Sequence, residues 1–191
     1  MTLKAPFKYE IDVAGHGGQG VVLMSYIISY IGLGKGAHVT WFPSYGAEMR
    51  GGTASCTVKI SSDPIASPLI SNPTHAIVLN NQSFLKFEPY MAPGGTIYIN
   101  KTLLSSPISR KDIRVYNLDA GTIASRLGSL KITNMVMLGV FIADTKMIKV
   151  PEIQAVLANV IPERHHKMIP LNLKAIREGY AAAKTCLENT N

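Results

Sequence analysis

The chain is poor in cysteine: 191 residues contain only Cys56 and Cys186, far apart and in no C-x-x-C arrangement. That spacing excludes a thiolate zinc site or an iron–sulfur cluster held by this chain alone, and suits two isolated reduced thiols better than a disulfide framework. Histidine is also sparse. Its one adjacent pair, His165-His166, is read as solvent-facing and not as a metal site. Aromatics make up 7% of residues and no Lys/Arg run reaches five, which argues against nucleic acid as a partner. No stretch approaches the ~18 consecutive apolar residues of a membrane span. The start MTLKAPFKYE has no apolar run of the kind a signal peptide needs, so a cytoplasmic location is expected. Catalytic triads, metal ligands and paired carboxylates are missing too, and no residue is assigned a catalytic role.

What is present is a hydrophobic content of 47% with only 16% charged residues, enough for one compact domain over 1–191. The formal net charge of +7 points to an anionic ligand, partner or neighbouring subunit, or to a solvated basic surface.

Along the chain, Ile11-Asp12-Val13-Ala14 is a β-rich run that ends in glycines. The following VVLMSYIISYIGLGKG is apolar over nearly its whole circumference and reads as a buried helix with a glycine stop. AHVTWF returns to strand character, completing a βαβ unit. PSYGAEMRGGTA reads as a loop, and SCTVKIS as a strand with one solvated face. HAIVLN, GTIYIN and DIRVYNL add further strands, with a short helix at QSFLKFEPYMAP. From Ala120 helix dominates: a segment broken near Gly128-Ser129, then PEIQAVLANVI, then NLKAIREGYAAAKTCLEN. The expected fold is α/β: a Rossmann-like, mainly parallel sheet flanked by helices, with a helical C-terminal part.

Two loops carry the candidate chemistry. Gly15-His16-Gly17-Gly18-Gln19-Gly20 has G-x-G-x-x-G spacing between a strand and a helix, a place where backbone N–H groups and a helix N-terminus favour an anion. A nicotinamide dinucleotide site also needs an acid at the end of the next strand, and no Asp or Glu lies between Asp12 and Glu48. That reading is set aside. His16 is expected to face outward and Gln19 to stand at the helix entrance, either to bond a phosphate or to cap the helix. The second loop, Ser44-Tyr45-Gly46-Ala47-Glu48-Met49-Arg50-Gly51-Gly52-Thr53, should lie beside the first. Arg50 offers a planar donor fork for phosphate or carboxylate, Glu48 could orient it, and Gly51-Gly52 permits close backbone approach. A surface salt bridge with a turn explains the same residues.

Together, GHGGQGVV and SYGAEMRGG resemble the gamma subunit, or gamma domain, of the 2-oxoacid:ferredoxin oxidoreductases, where G-x-G-G-Q-G follows the first strand and Y-G-x-E-x-R-G-G the second. ISSDPIASPLISNPTHAIVLN, APGGTIYIN, TNMVMLGVFIADT and NLKAIREGY match further family segments in order, although Thr74-His75 stands where an acidic residue is usual. The NMVMLG helix is most similar to the 2-oxoglutarate type, with pyruvate, branched-chain and indolepyruvate types open.

The resemblance implies a subunit of an enzyme that decarboxylates a 2-oxoacid on thiamine diphosphate with Mg, passes electrons through iron–sulfur clusters to ferredoxin, and releases an acyl-CoA. Thiamine diphosphate and clusters would belong to the alpha, beta and ferredoxin-like delta subunits or fused equivalents, and this chain alone would hold no cofactor. Its own part would be the coenzyme A side of the site and assembly. Coenzyme A phosphates or a subunit interface are the two readings for Gly15 to Gly20, Ser44, Tyr45, Glu48, Arg50, Gly51, Gly52 and Thr53. In isolation the chain could pair with itself. Two other classes compete: a stand-alone Rossmann-like nucleotide-binding domain, and a purely structural assembly subunit. For the apolar helix at ITNMVMLGVFI, a core role is favoured over a subunit contact, and Asn134 should find a partner if buried.

Overall fold

Strand β1 (Lys8–His16) is central because residues 11–15 are buried, with neighbours on both edges. The computed structural model describes residues 6–45 and 53–188. Helix α1 (Val21–Gly34) follows the glycine turn, then strand β2 (His38–Tyr45) and strand β3 (Thr53–Ser61). Next come β4 (His75–Val78), α2 (Asn81–Phe87), β5 (Thr96–Asn100) and β6 (Arg114–Leu118). Helices α3 (Ala120–Arg126), α4 (Thr133–Thr145), α5 (Ile153–Val160) and α6 (Ile169–Ala182) lead to a two-residue strand, β7 (Leu187–Glu188).

The sheet order is β2-β3-β1-β4-β5-β6-β7. β1, β4, β5 and β6 pair in parallel, while β3 is antiparallel to both β1 and β2. The βαβ expectation therefore needs a correction: β2 runs in the direction of β1 but is separated from it by β3. A hairpin return from β2 fills the gap that a direct crossover would have closed. Pro43 sits on β2, the edge strand, where a missing N–H is tolerated.

Alternation along the strands separates two cores. Ile77, Tyr98 and Tyr116 face the larger one, with α1, α4 and α6. Ala76, Val78, Ile97, Ile99 and Val115 face a smaller one with Phe84 of α2. Asn80 caps α2 by accepting from Ser83 N at 2.8 Å, and Asp119 caps α3 by accepting from Thr122 N at 3.2 Å. The apolar helix α4 is buried from Asn134 to Ile142, which bears out its core role.

The last sequence segment is helical only to Ala182. Beyond a turn, Leu187 pairs antiparallel with Tyr116, so the helix expected to run on to Asn189 ends early and the chain closes the exposed edge of β6. His166 also departs from expectation: it is half-buried, with Nε2 2.8 Å from the Ile161 carbonyl, whereas His165 is exposed.

Candidate functional site

In a sheet of this kind the parallel strands release their chains at one end, and side chains there face a crevice. Here the loop after β1 supplies Gly18 and Gln19, the residue after β4 supplies Leu79, and β5 ends in Asn100, followed by Thr102 and Leu103. Gly121 of α3, and Leu130, Lys131 and Thr133 at the head of α4, close the other side of a space of about 330 Å3. The chain leaves β1 toward β3 and β2, whereas β4 lies on the other flank, so the crevice sits where the strand order reverses.

The glycine loop is built around Gln19. Its Oε1 accepts from the His16 amide at 2.6 Å and from Asn80 Nδ2 at 3.3 Å. Gln19 thus satisfies the amide at the end of β1 instead of pointing outward, because that N–H would otherwise be left without a partner. A Cβ on Gly15 would lie 2.7 Å from Gln19 Oε1, so glycine at 15 is what admits the amide. Gly20 is left-handed with φ 75° and precedes the first turn of α1. Its carbonyl accepts from Met24 N at 3.0 Å and from Asn134 Nδ2 at 3.2 Å. A side chain at Gly20 would run into Asn134. Asn134, 3% exposed, also accepts from Met135 N with Oδ1 at 3.0 Å, so the polar atoms that the sequence left in search of a partner both have one. His16 is half-buried and not turned fully outward, with Nδ1 buried and lacking a partner.

The second loop emerges at the same end. His16 pairs with Thr53 and Tyr45 with Ala54, so β2 ends and β3 begins beside the glycine loop. Ser44 is exposed on β2. Glu48, Arg50, Gly51 and Gly52 lie outside the described residues, and of Tyr45 and Thr53 only the backbone is described.

Four crevice residues with polar side chains escaped the sequence reading: Asn100, Thr102, Lys131 and Thr133. Asn100 is 2% exposed; Nδ2 donates to the Leu79 carbonyl at 3.4 Å, while Oδ1 is buried without a partner. Thr102 Oγ1 donates to Asp119 at 2.6 Å and accepts from Gly121 N at 2.9 Å, tying the loop after β5 to the start of α3. Lys131 is exposed, and Thr133 Oγ1 donates to the Leu130 carbonyl at 2.7 Å. A signal for Asn100 was present: a polar residue closing the apolar strand TIYIN at its carboxyl end.

A second polar cluster holds the other end of α4. Asp144 accepts from Tyr98 Oη at 2.6 Å, Tyr116 Oη at 2.9 Å and Arg114 at 3.1 Å. Burial, then the Asp144 carboxylate, pushes the Tyr98 hydroxyl well above its ordinary range, and burial with the same hydrogen bond raises Tyr116 to about 12, so both stay protonated donors. The cluster anchors α4 to β5 and β6.

Cys56 and Cys186 are each buried and are not joined in a disulfide, and no group of three metal-binding side chains exists among the described residues. Four-thiolate ligation of an iron–sulfur cluster does not fit these two positions. Among the described residues no carboxylate lines the crevice that could hold the metal of a thiamine diphosphate. The head of α1, which has no side-chain cap, and the Lys131 ammonium fit a ligand with an anionic group. No helix among the described residues is long and apolar enough to cross a membrane.

Fold and crevice together define a Rossmann-like α/β domain with a crevice at the carboxyl ends of its parallel strands. The chain belongs to the pyruvate ferredoxin/flavodoxin oxidoreductase family, whose model matches residues 10–182, and within it to the gamma-type chains of 2-oxoacid:ferredoxin oxidoreductases. It is 38% identical over 134 residues to the ketoisovalerate oxidoreductase subunit VorA of Methanothermobacter thermautotrophicus, covering 70% of this chain but 28% of that one. The chain thus spans little more than a quarter of that relative's length. It is 28% identical over 184 residues to the 2-oxoglutarate synthase subunit KorC of Methanocaldococcus jannaschii, covering 95% of this chain and 97% of KorC. Its fold matches the keto/oxoacid ferredoxin oxidoreductase gamma subunit of Geobacter sulfurreducens with a TM-score of 0.80 at 23% identity, over 95% of this chain and 99% of that one. A 2-oxoglutarate:ferredoxin oxidoreductase from Magnetococcus marinus, solved with 2-oxoglutarate, coenzyme A and succinyl-CoA bound, matches with a TM-score of 0.81 at 22% identity, over 95% of this chain and 32% of that one.

Proposed function

We propose that this chain is the gamma subunit of a multi-subunit enzyme that oxidatively decarboxylates a 2-oxoacid to an acyl-CoA and reduces ferredoxin. The observation that carries this reading is the near end-to-end match to KorC, a single subunit of the same length class. The names of similar proteins divide between ketoisovalerate, 2-oxoglutarate and pyruvate. The substrate reading is accordingly the 2-oxoacid class, with 2-oxoglutarate as one member. Alpha, beta and ferredoxin-like delta subunits, or fused equivalents, are the partners in this reading, and a cytoplasmic location goes with it.

Thiamine diphosphate with its Mg and the iron–sulfur clusters would reside in those partners. Coenzyme A, when bound, supplies the thiol that accepts the acyl group. The part of this chain is to hold its phosphate end, with Gly15 to Gly20 at the head of α1 and, as further candidates, Ser44, Tyr45, Glu48, Arg50, Gly51, Gly52 and Thr53, of which Glu48, Arg50, Gly51 and Gly52 lie outside the described residues. The proximity of the start of β3 to the glycine loop, through the His16–Thr53 pairing, supports this assignment.

The test is an affinity pull-down of the tagged chain from its own cells, followed by coenzyme A-dependent reduction of ferredoxin or a viologen dye with several 2-oxoacids. Activity with one oxoacid, in a brown assembly with larger subunits, is the expected result. A colourless chain recovered alone and inactive would overturn the reading.

A further inference from the structure

Helix α1 contains no charged residue and is apolar around nearly its whole circumference, a composition that belongs in an interior. The fold buries only one side of it. Met24, Ile27, Ile28 and Ile31 enter the larger core, whereas Val22, Leu23, Tyr26, Tyr30 and Leu33 turn outward. Spacings of three and four residues place these five on one face. Tyr26 and Leu33 are 42% and 57% exposed, and the other three are half-buried. Tyr26 meets Trp41 of β2 edge-on at 5.4 Å, which carries the apolar surface on to the edge strand. The cation that follows the helix, Lys35, is engaged elsewhere, with Nζ 3.0 Å from Glu152. Single exposed leucines are ordinary on a protein surface, but an outward helix face that no charge interrupts marks an interface.

We infer that this outward face of α1 is covered, in the assembly, by an apolar and uncharged surface of a larger partner subunit; the inference rests on the multi-subunit reading above. Two observations select that occupant over a second copy of this chain. The net charge of +7 sets two copies against each other, and the face holds no carboxylate to offset their repulsion. In the VorA relative, moreover, the matched segment is 28% of the chain, so a domain of this kind is joined there to further protein. A domain with a permanent neighbour meets it through a surface that resembles a divided core, apolar at its centre, rich in aromatics and poor in charge. Tyr26 and Tyr30 suit such a contact, because each ring buries apolar area while its hydroxyl reaches toward a polar rim.

The experiment uses the tagged chain recovered from its own cells with the subunits that accompany it. Tyr26→Lys and Leu33→Lys each set an ammonium in the face. Leu85→Lys, at a position 55% exposed on α2 across the sheet, is the matched control. An ammonium buried without a partner is costly, so the larger subunit recovered per tagged chain is expected to fall about tenfold or more in the first two variants and to hold in the third. Thermal melting of each tagged chain checks its folding. A photo-crosslinking p-benzoylphenylalanine in place of Tyr26 reads the contact in the intact assembly without disrupting it by charge. The expected adduct has the mass of this chain plus a larger subunit of the assembly that turns over a 2-oxoacid. An adduct of two copies of this chain, no adduct at all, equal loss in all three lysine variants, or full recovery with both α1 variants would overturn the inference. Failure of the multi-subunit reading looks different: the unaltered chain is then recovered alone and without turnover, whereas failure of this inference alone leaves an active assembly whose α1 face touches no larger subunit.

Discussion

Gly139 of α4 and Gly179 of α6 face each other's helix backbone: a methyl added at 139 would run into the Ile176 carbonyl, and one added at 179 into the Val136 carbonyl. The two helices therefore cross at a distance that only glycine allows. Because the obstacle is backbone and not a flexible side chain, Gly139→Ala and Gly179→Ala are each predicted to destabilise the protein by about 3 kcal/mol, the upper part of the range for overpacking. Urea unfolding midpoints would measure this; a loss under 1 kcal/mol would mean the helices separate easily.

Asn134 links the head of α4 to the glycine loop through Gly20. Asn134→Ala deletes that bond to the Gly20 carbonyl, and a loss of about 1–2 kcal/mol is expected. Hydrogen exchange of the Gly18–Val21 amides should quicken at the same time. Unaltered exchange would show that the loop holds its shape without the tether.

His75 predicts a pH dependence. Burial, the largest influence, lowers its pKa from 6.5 to about 4, and the ring sits 2.9 Å from Thr74 Oγ1. In the folded state the imidazole stays neutral down to about pH 4, while the unfolded chain takes up a proton near 6.5. The stability this contributes is fully present above pH 6.5 and is lost as pH falls, by about 3 kcal/mol at pH 4. Unfolding free energies of the unaltered protein and His75→Gln between pH 4 and 7 should converge toward acid. Parallel curves would refute the assignment.

Asp12 behaves in the opposite sense. It is 6% exposed in β1, accepts from Thr57 Oγ1 at 2.8 Å, and burial raises its pKa from 3.8 to about 6. The folded state holds a proton that the unfolded state releases, so stability falls as pH rises from 4 to 6 and the penalty is complete above that. Asp12→Asn keeps an acceptor for Thr57 without the charge, and is predicted to stabilise by about 2–3 kcal/mol at pH 7 and to have little effect at pH 4. A thermal melt series at the two pH values checks both halves.

Much of the fold was legible because local rules and tertiary demands agree there. The apolar run Val21–Gly34 could only be a buried helix, and Gly128-Ser129 broke the long helical stretch where α3 and α4 in fact separate. The site was legible in part. The spacing of the glycine loop marked a turn at the end of a strand, yet gave no reason to expect Gln19 to fold back onto His16. That bond depends on Gly15 leaving room and on Asn80 arriving from a different loop. Asn100, Lys131 and Thr133 are up to 33 positions apart and carry no shared motif, so nothing but the strand order could bring them to one crevice.

The sequence by itself determined the element types, the single family-like succession of motifs and the apolar character of α4, because periodicity and glycine placement act within a few residues. Only the tertiary structure decided that β3 enters between β1 and β2, that the last residues described leave a helix to pair with β6, and that Asn100, Lys131 and Thr133 share one cavity. Those outcomes depend on which strand edge is free and which backbones can touch, and both are properties of contacts between segments far apart in the chain.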